Sequence, residues 1–319
     1  MNISRRSFFG AAGMAAAAAA GGRAGFGAAR PCPAGATSFA YGPNGKLRVT
    51  VPGLAGDVRV FVAGDTHFGL HDARDDAYAG NYERMARCSP DPTKGFADTL
   101  AKARKEKPDI ILLAGDIISF PTLANVEHVK RELDACGIDW YYTAGNHDWH
   151  FEGMPGSDEA QRAEWIPKRL APLYRGQDPF MSSRVVKGVR FVAIDNSIYH
   201  VSEKQLAFWK AEAAKGDPTV LFMHIPLWLD GWSLHTCGCP HWGAAMDPYW
   251  EIERREKWAE RQSPSTFEFR DSVLSTPNLV AVMTGHVHRL LVGCERGKYL
   301  FSTPHNRNGD FLDVRFTAK

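Results

Sequence analysis

The sequence has no surplus of charge of either sign: 38 Lys and Arg stand against 36 Asp and Glu in 319 residues, a formal net charge of +2. A protein that binds nucleic acid through general electrostatics carries a clear basic excess, so no nucleic-acid partner is expected. A disordered chain combines high net charge with few apolar residues, whereas 44% of this one is hydrophobic. Thirty glycines and nineteen prolines follow no period, which excludes collagen-like repeats. Cysteine is sparse, with six residues at 32, 88, 136, 237, 239 and 294 whose spacing shows no disulfide framework. Beyond residue 40 there is no repeat, no linker and no low-complexity tract. No later run reaches the roughly 20 strongly apolar residues of a spanning helix, so no stable membrane span is expected. What is abundant is histidine, with twelve, and their positions carry the rest of the reading.

The amino terminus is set apart by composition. Ser4-Arg5-Arg6-Ser7-Phe8-Phe9 leads into a weakly hydrophobic alanine tract ending at Ala20. A charged start, a short apolar stretch and small residues near Ala29 or Ala36 look like a twin-arginine export signal, too short to span a bilayer. The expectation is a leader over residues 1–36, use of the twin-arginine export machinery, and a periplasmic or secreted protein. Residues 37–319 are then expected to form one domain.

Within that domain, buried-strand runs alternate with helical periodicity. Lys46 to Val51 and Val58 to Ala63 predict strands about a turn. Phe96, Leu100 and Ala103 recur at helical spacing until Pro108, and Asp109 to Ala114 predicts a buried strand. Val126, Val129 and Leu133 mark a helix ending near Gly137, followed by a strand from Trp140 to Ala144. Lys187-Gly188 predicts a hairpin, Ser202 to Ala214 a helix, Thr219 to Met223 and Leu279 to Met283 strands, and Leu290 to Phe316 a β-rich tail. The rhythm predicts an α/β fold with two or more sheets.

Polar clusters follow the buried strands. They are Gly64-Asp65-Thr66-His67, Gly115-Asp116, Gly145-Asn146-His147-Asp148, His224-Ile225-Pro226 and Gly285-His286-Val287-His288. In α/β folds, ligands gather at the carboxyl ends of strands. In Asp65-x-His67 and His286-x-His288, a two-residue spacing on extended backbone aims both side chains to one side. Two Asp, one Asn and four His exceed what one metal can use, but suit two metals sharing a carboxylate. Mixed nitrogen and oxygen donors favour Mn, Fe or Zn over Mg or Ca. Such an ion pair, about 3.5–4 Å apart, suits displacement at phosphorus.

These five blocks, in this order, resemble the calcineurin-like metallophosphoesterases. The resemblance implies a four-layer α-β-β-α sandwich of two mixed sheets. It implies two divalent or trivalent metal ions, one held by Asp65, His67, Asp116 and His288, the other by Asp116, Asn146, His224 and His286. It also implies hydrolysis of a small phosphoester, as a phosphodiesterase or phosphomonoesterase, by in-line attack of a metal-bridging hydroxide. His147 would then protonate or stabilise the leaving oxygen, and Asp148 would orient His147 or sit behind the ligands. A non-catalytic metal-binding scaffold of the same fold is the alternative, but members of that kind lack ligands and here none is missing.

The remaining histidines divide. His150 and His305 are candidates for substrate contact; His71, Asp72 and His200 read as loop residues, and His128 as solvated on a charged helix. Asp195-Asn196, ending a β-rich run, reads as structural support behind the site. Residues 228–269 break the rhythm with Trp228, Trp232, Trp242, Tyr249, Trp250 and Trp258. They are expected to form a lid-like insertion near the site mouth. Within them, His235-Thr236-Cys237-Gly238-Cys239-Pro240-His241 has only one residue between its cysteines, closer than structural zinc sites use, and reads as a loop.

Overall fold

The apolar runs become twelve strands in two six-stranded sheets of a computed structural model that describes residues 38–42, 45–88, 91–227, 229 and 263–318. In chain order they are β1 (Ser38–Gly42), β2 (Lys46–Thr50), β3 (Val58–Ala63), β4 (Ile110–Ala114), β5 (Trp140–Thr143), β6 (Met181–Val186), β7 (Val189–Ile194), β8 (Thr219–Phe222), β9 (Leu279–Thr284), β10 (Leu291–Glu295), β11 (Lys298–Ser302) and β12 (Leu312–Thr317). The first sheet runs β1-β2-β12-β3-β4-β5 and the second β10-β11-β9-β8-β7-β6. Both are mixed. β3, β4 and β5 are parallel neighbours in one, and β7, β8, β9 and β11 in the other.

Strand alternation builds the layers. Val60, Val62, Ile110 and Leu112 point between the sheets, where they meet Phe191, Val220, Phe222 and Met283. Phe61, Ile111 and Leu113, one residue out of phase, face α2 (Thr93–Glu106) and α3 (Leu123–Cys136) through Phe96, Leu100, Val129 and Leu133. On the far side, Val192, Leu221 and Val282 pack under α6 (Glu203–Ala213) and α7 (Pro264–Ser275) through Trp209, Phe269 and Val273. Both faces of β4 are therefore covered, which is why Ile-Ile-Leu-Leu-Ala needs no polar alternation. Shorter helices α1 (Ala79–Cys88), α4 (Asp158–Trp165) and α5 (Ala171–Tyr174) complete the layer outside the first sheet. The result is a four-layer α-β-β-α sandwich.

Local signals set the element ends. Ser202 and Gln205 form a reciprocal capping box that starts α6. The β-rich tail differs from a simple meander. β10 and β11 extend the second sheet, and β12 crosses back to lie antiparallel to β3 and parallel to β2 in the first. The parallel strands of both sheets thus end at one edge of the sandwich. The expected leader, the Cys-Gly-Cys segment, and residues 228 and 230–262 of the expected lid-like stretch lie outside the described residues. Pro264 to Phe269, the end of that stretch, form the first half of α7 and sit in the outer layer.

Candidate metal centre

Five loops leave the carboxyl ends of β3, β4, β5, β8 and β9 and carry all seven predicted ligands. Every one is buried, with at most 9% of its surface exposed. The loops are stitched by backbone bonds across strands: Asp65 N–H donates to the Gly115 carbonyl at 3.0 Å and His67 N–H to the Asp116 carbonyl at 2.9 Å. The two sheets are joined here as well. The His224 Nδ1 lies 2.6 Å from the Ala114 carbonyl, and His286 N–H donates to both Asp65 carboxylate oxygens at 3.0 Å.

The backbone is strained where the ligands sit. Among the described residues ten non-glycine positions have positive φ, and five of them are Asp65, His67, Asp116, His286 and His288. Each costs on the order of 1 kcal/mol or more, and such strain persists only where the surroundings enforce it, most often at functional sites. Gly145 shows the crowding from the other direction, since a side chain there would place its Cβ 2.2 Å from Asp116 Oδ1.

The ligand atoms form two groups, Asp65-His67-His288 and Asp116-His224-His286, each with its donor atoms within 4.8 Å of one another. In the first, His67 Nε2 and His288 Nε2 are 3.1 Å apart and His288 Nε2 is 3.4 Å from Asp65 Oδ1. In the second, Asn146 Oδ1 lies 3.2 Å from His224 Nε2 and 3.0 Å from His286 Nδ1. Asp116 Oδ2 reaches both, at 3.2 Å from His224 Nε2 and 3.8 Å from His67 Nε2. Buried imidazole and carboxylate donors gathered in two adjacent groups fit two metal cations.

Electrostatics follows from burial. Burial holds His67 well below the ordinary imidazole value and takes His288 down to about 3, so both are neutral donors. Burial also pulls on His224, but the Asp116 carboxylate outweighs it and holds that imidazole up at about 10. Asp116 responds in kind: burial alone would raise it, yet the facing His224 keeps it well below the usual carboxylate range. Asp65 moves the opposite way, raised by burial. Burial and the Asp116 charge push Asp148 up to about 6.

The other predicted residues separate. His147 N–H donates to Asp116 Oδ1 at 2.8 Å, and its ring stands 5.1 Å from the His67 ring. Asp148 accepts from the backbone N–H groups of Asp116, Gly145 and Ile118 at 2.8, 2.6 and 2.9 Å, fastening the β4 and β5 loops together. His150 stacks 6.3 Å from His147 and 4.9 Å from Trp149, and His305 lies 6.0 Å from His288. Asn196 clamps the loop after β8, donating to the Ile225 carbonyl at 2.7 Å and accepting from Ile225 N–H at 3.0 Å. His71 packs on Tyr82 at 4.8 Å, while Asp72 caps a 3₁₀ turn and pairs with Arg74, so neither is brought to the ligands. His128, expected in solvent, is half-buried with its ring 4.8 Å from Phe68, because α3 lies flat on the first sheet.

Two residues near the ligands carry no motif. Tyr199 has φ 67° and its ring is 5.7 Å from His286. Arg307 lies in the 3₁₀ turn Asn306–Asn308, two residues after His305, whose ring is 6.0 Å from that of His288. A buried left-handed tyrosine cannot be read from residue type, and an isolated arginine after a strand has no spacing partner to mark it.

The model of the calcineurin-like phosphoesterase family matches residues 58–290 of the chain. The chain belongs to that family. A dimetal phosphatase from Danio rerio has the same fold: TM-score 0.51, 13% identity, 82% of this chain and 99% of that one covered. The TT1561 protein of Thermus thermophilus is similar at a TM-score of 0.45 and 8% identity over 78% and 90% of the chains. A phosphopantetheinyl hydrolase from Mycobacterium tuberculosis is similar at 0.39 and 12% over 81% and 96%. No curated protein matches the sequence. With two candidate metal groups set in this fold, the family member is a metal-dependent phosphoesterase. Among the described residues no helix is long and apolar enough to cross a membrane.

Proposed function

We propose that the protein hydrolyses small phosphate esters at a centre of two metal ions, one held by Asp65, His67, Asp116 and His288 and one by Asp116, Asn146, His224 and His286. The observation that carries this reading is the Asp116 carboxylate, whose Oδ2 faces imidazoles of both groups at 3.2 and 3.8 Å. Two such ions supply charge neutralisation and an activated water for displacement at phosphorus. The chain supplies the rest. Asn146 and the imidazoles fix the donors, and Asp148 locks two ligand loops to each other. His147, anchored by its backbone to Asp116 and placed beside His67, delivers a proton to the departing oxygen. His150 and His305, whose rings lie 6.3 Å from His147 and 6.0 Å from His288, are the candidates for substrate contact. Mn, Fe or Zn are the fitting metals, because four of the seven ligands are imidazoles.

The amino-terminal Ser4-Arg5-Arg6-Ser7-Phe8-Phe9 pattern supports export by the twin-arginine route to the periplasm or beyond. Export already folded would let the metals load before release. The test of the catalytic reading is hydrolysis of p-nitrophenyl phosphate and bis(p-nitrophenyl) phosphate by protein stripped of metal and then reloaded with Mn²⁺, Fe²⁺ or Zn²⁺. Turnover of at least one ester that appears with metal and vanishes with chelator is expected. No turnover with any of the three metals, at full metal occupancy, refutes the reading.

A further inference from the structure

The loop after β7 carries three polar residues in a row, and each is tied to a different neighbour. Asp195 N–H donates to the Phe180 carbonyl at 2.9 Å, and the Gln205 amide on α6 donates to the Asp195 carbonyl at 2.6 Å. Asn196 holds the loop after β8. Ser197 N–H donates to Asp195 Oδ1 at 2.8 Å, and its hydroxyl accepts from the Trp149 indole N–H at 2.9 Å. Arg162 on α4 places its guanidinium 3.6 Å from Asp195 Oδ2, so the carboxylate behind Ser197 has a cation behind it in turn. Asp195, Ser197 and Trp149 are all buried.

The Trp149–Ser197 bond crosses from the loop after β5, in the first sheet, to the loop after β7, in the second. Trp149 follows His147 by two residues. Its ring lies 4.9 Å from the His150 ring, which stacks on His147 at 6.3 Å and an interplanar angle of 26°. The first half of this loop is fixed through its backbone, by His147 N–H on Asp116 and by the Asp148 carboxylate. The indole N–H adds a tie for the second half. A buried indole N–H that leaves its acceptor bears the full desolvation of that group, so the ring has one favoured seat.

We propose that Trp149 is a positioning residue: its indole N–H, seated on Ser197 and backed by Asp195 and Arg162, sets the place of the His147 and His150 rings and so governs proton delivery to the leaving oxygen. This rests on the phosphoesterase reading above and deepens it. Proton transfer needs donor and acceptor within about 2.6–3.2 Å, so a small shift of the imidazole is felt in the rate. One loop then divides its tasks. Asn146 and Asp148 serve the ligands, and Trp149 serves the leaving group.

The test compares wild type with Trp149→Phe, which keeps a ring and removes the N–H, and with Ser197→Ala, which keeps the indole and removes its acceptor. Each substitution is also made in a His147→Gln background. The kinetic readouts, with Mn²⁺, are kcat and KM for phenyl and p-nitrophenyl esters of the class the wild type cleaves, together with bound metal. In either variant kcat for the phenyl ester should fall about tenfold and that for the nitrophenyl ester less than about threefold, with KM and bound metal unchanged. In the His147→Gln background the same substitutions should change kcat less than about twofold, because the group they position is gone. A general loosening of the fold would not spare that background. The second readout needs no turnover: in Zn²⁺-loaded protein, the NMR signals of the His147 and His150 rings should move or broaden in Ser197→Ala, which leaves every ring chemically intact. Equal losses for the two esters, undiminished losses in the His147→Gln background, or unmoved ring signals overturn the proposal. If wild type cleaves neither ester class, the phosphoesterase reading fails, and the ring signals still decide whether Trp149 sets the two imidazoles.

Discussion

The two ends of the sandwich pair their ionisable groups in different ways. At the amino ends of the parallel strands, carboxylates meet guanidinium groups. Arg59, at the start of β3, donates to both Asp313 oxygens at 2.8 and 2.7 Å and also pairs with Glu106. Arg190, at the start of β7, holds Asp217 at 2.9 Å and Glu212 at 2.8 Å, and Asp139 ahead of β5 takes Arg175 and Arg184. At the carboxyl ends, Asp65, Asp116 and Asp148 are fully buried, and among the described residues none pairs with a lysine or arginine. Their neighbours are imidazoles and backbone N–H groups. Buried carboxylates without fixed cations destabilise a fold unless something else supplies the positive charge. One end is built to be complete by itself and the other to take up cations.

That contrast can be broken in order of size. Asp116→Ala removes the carboxylate proposed to bridge the two groups, so kcat/KM should fall about a thousandfold, about 4 kcal/mol, with loss of bound metal. Ester turnover together with elemental analysis checks it. Gly145→Ala, which forces a Cβ against Asp116 Oδ1, should cost about 3 kcal/mol in chemical denaturation and lower metal content. In His147→Gln, metal content should stay at the wild-type level while kcat drops about a hundredfold for esters with poor leaving groups. Nitrophenyl esters, whose leaving group needs no proton, should be affected less.

The fourth expectation concerns pH. Asp116 overcomes burial and holds His224 up at about 10, above its ordinary 6.5. The charged pair therefore stabilises the metal-free protein fully below about pH 6.5 and is lost as pH rises through about 10. The slope is at most about 1.4 kcal/mol per pH unit for one proton. Thermal melts of metal-free protein should show this decline, and His224→Gln should flatten it. Metal competes for the same imidazole, so metal affinity should rise across the same window. Smallest is Arg59→Ala at the self-sufficient end. Its pair is partly solvent-screened, so stability should fall by only about 1 kcal/mol with turnover unchanged.

The sequence made the carboxyl-end loops legible because strand, turn and ligand follow one another within a few residues. Ile110 to Ala114 running into Gly115-Asp116 signals both a buried strand and what it delivers. What stayed hidden depends on residues far apart in the chain. The return of β12 to the first sheet depends on pairing Val314 with Val60 across more than 250 residues. The role of Asn196 depends on the chain after β8 passing within hydrogen-bond reach, and the seating of the Asn306–Asn308 turn on Gly95 making room on α2. The misplacement of His128 has the same origin, since a charged helix face still lies against a sheet when its neighbours Val126 and Val129 anchor it there.

The central claim is that the carboxyl-end charges form one centre for two cations. Calorimetric titration of metal-free protein with Mn²⁺, followed by the same titration of Asp116→Ala, tests it most directly. The account predicts two ions per chain in the wild type, with ester turnover tracking the second, and weakened binding of both in the variant. Wild-type binding of one ion or none, or an Asp116→Ala protein that still takes up two with unchanged affinity, would contradict it.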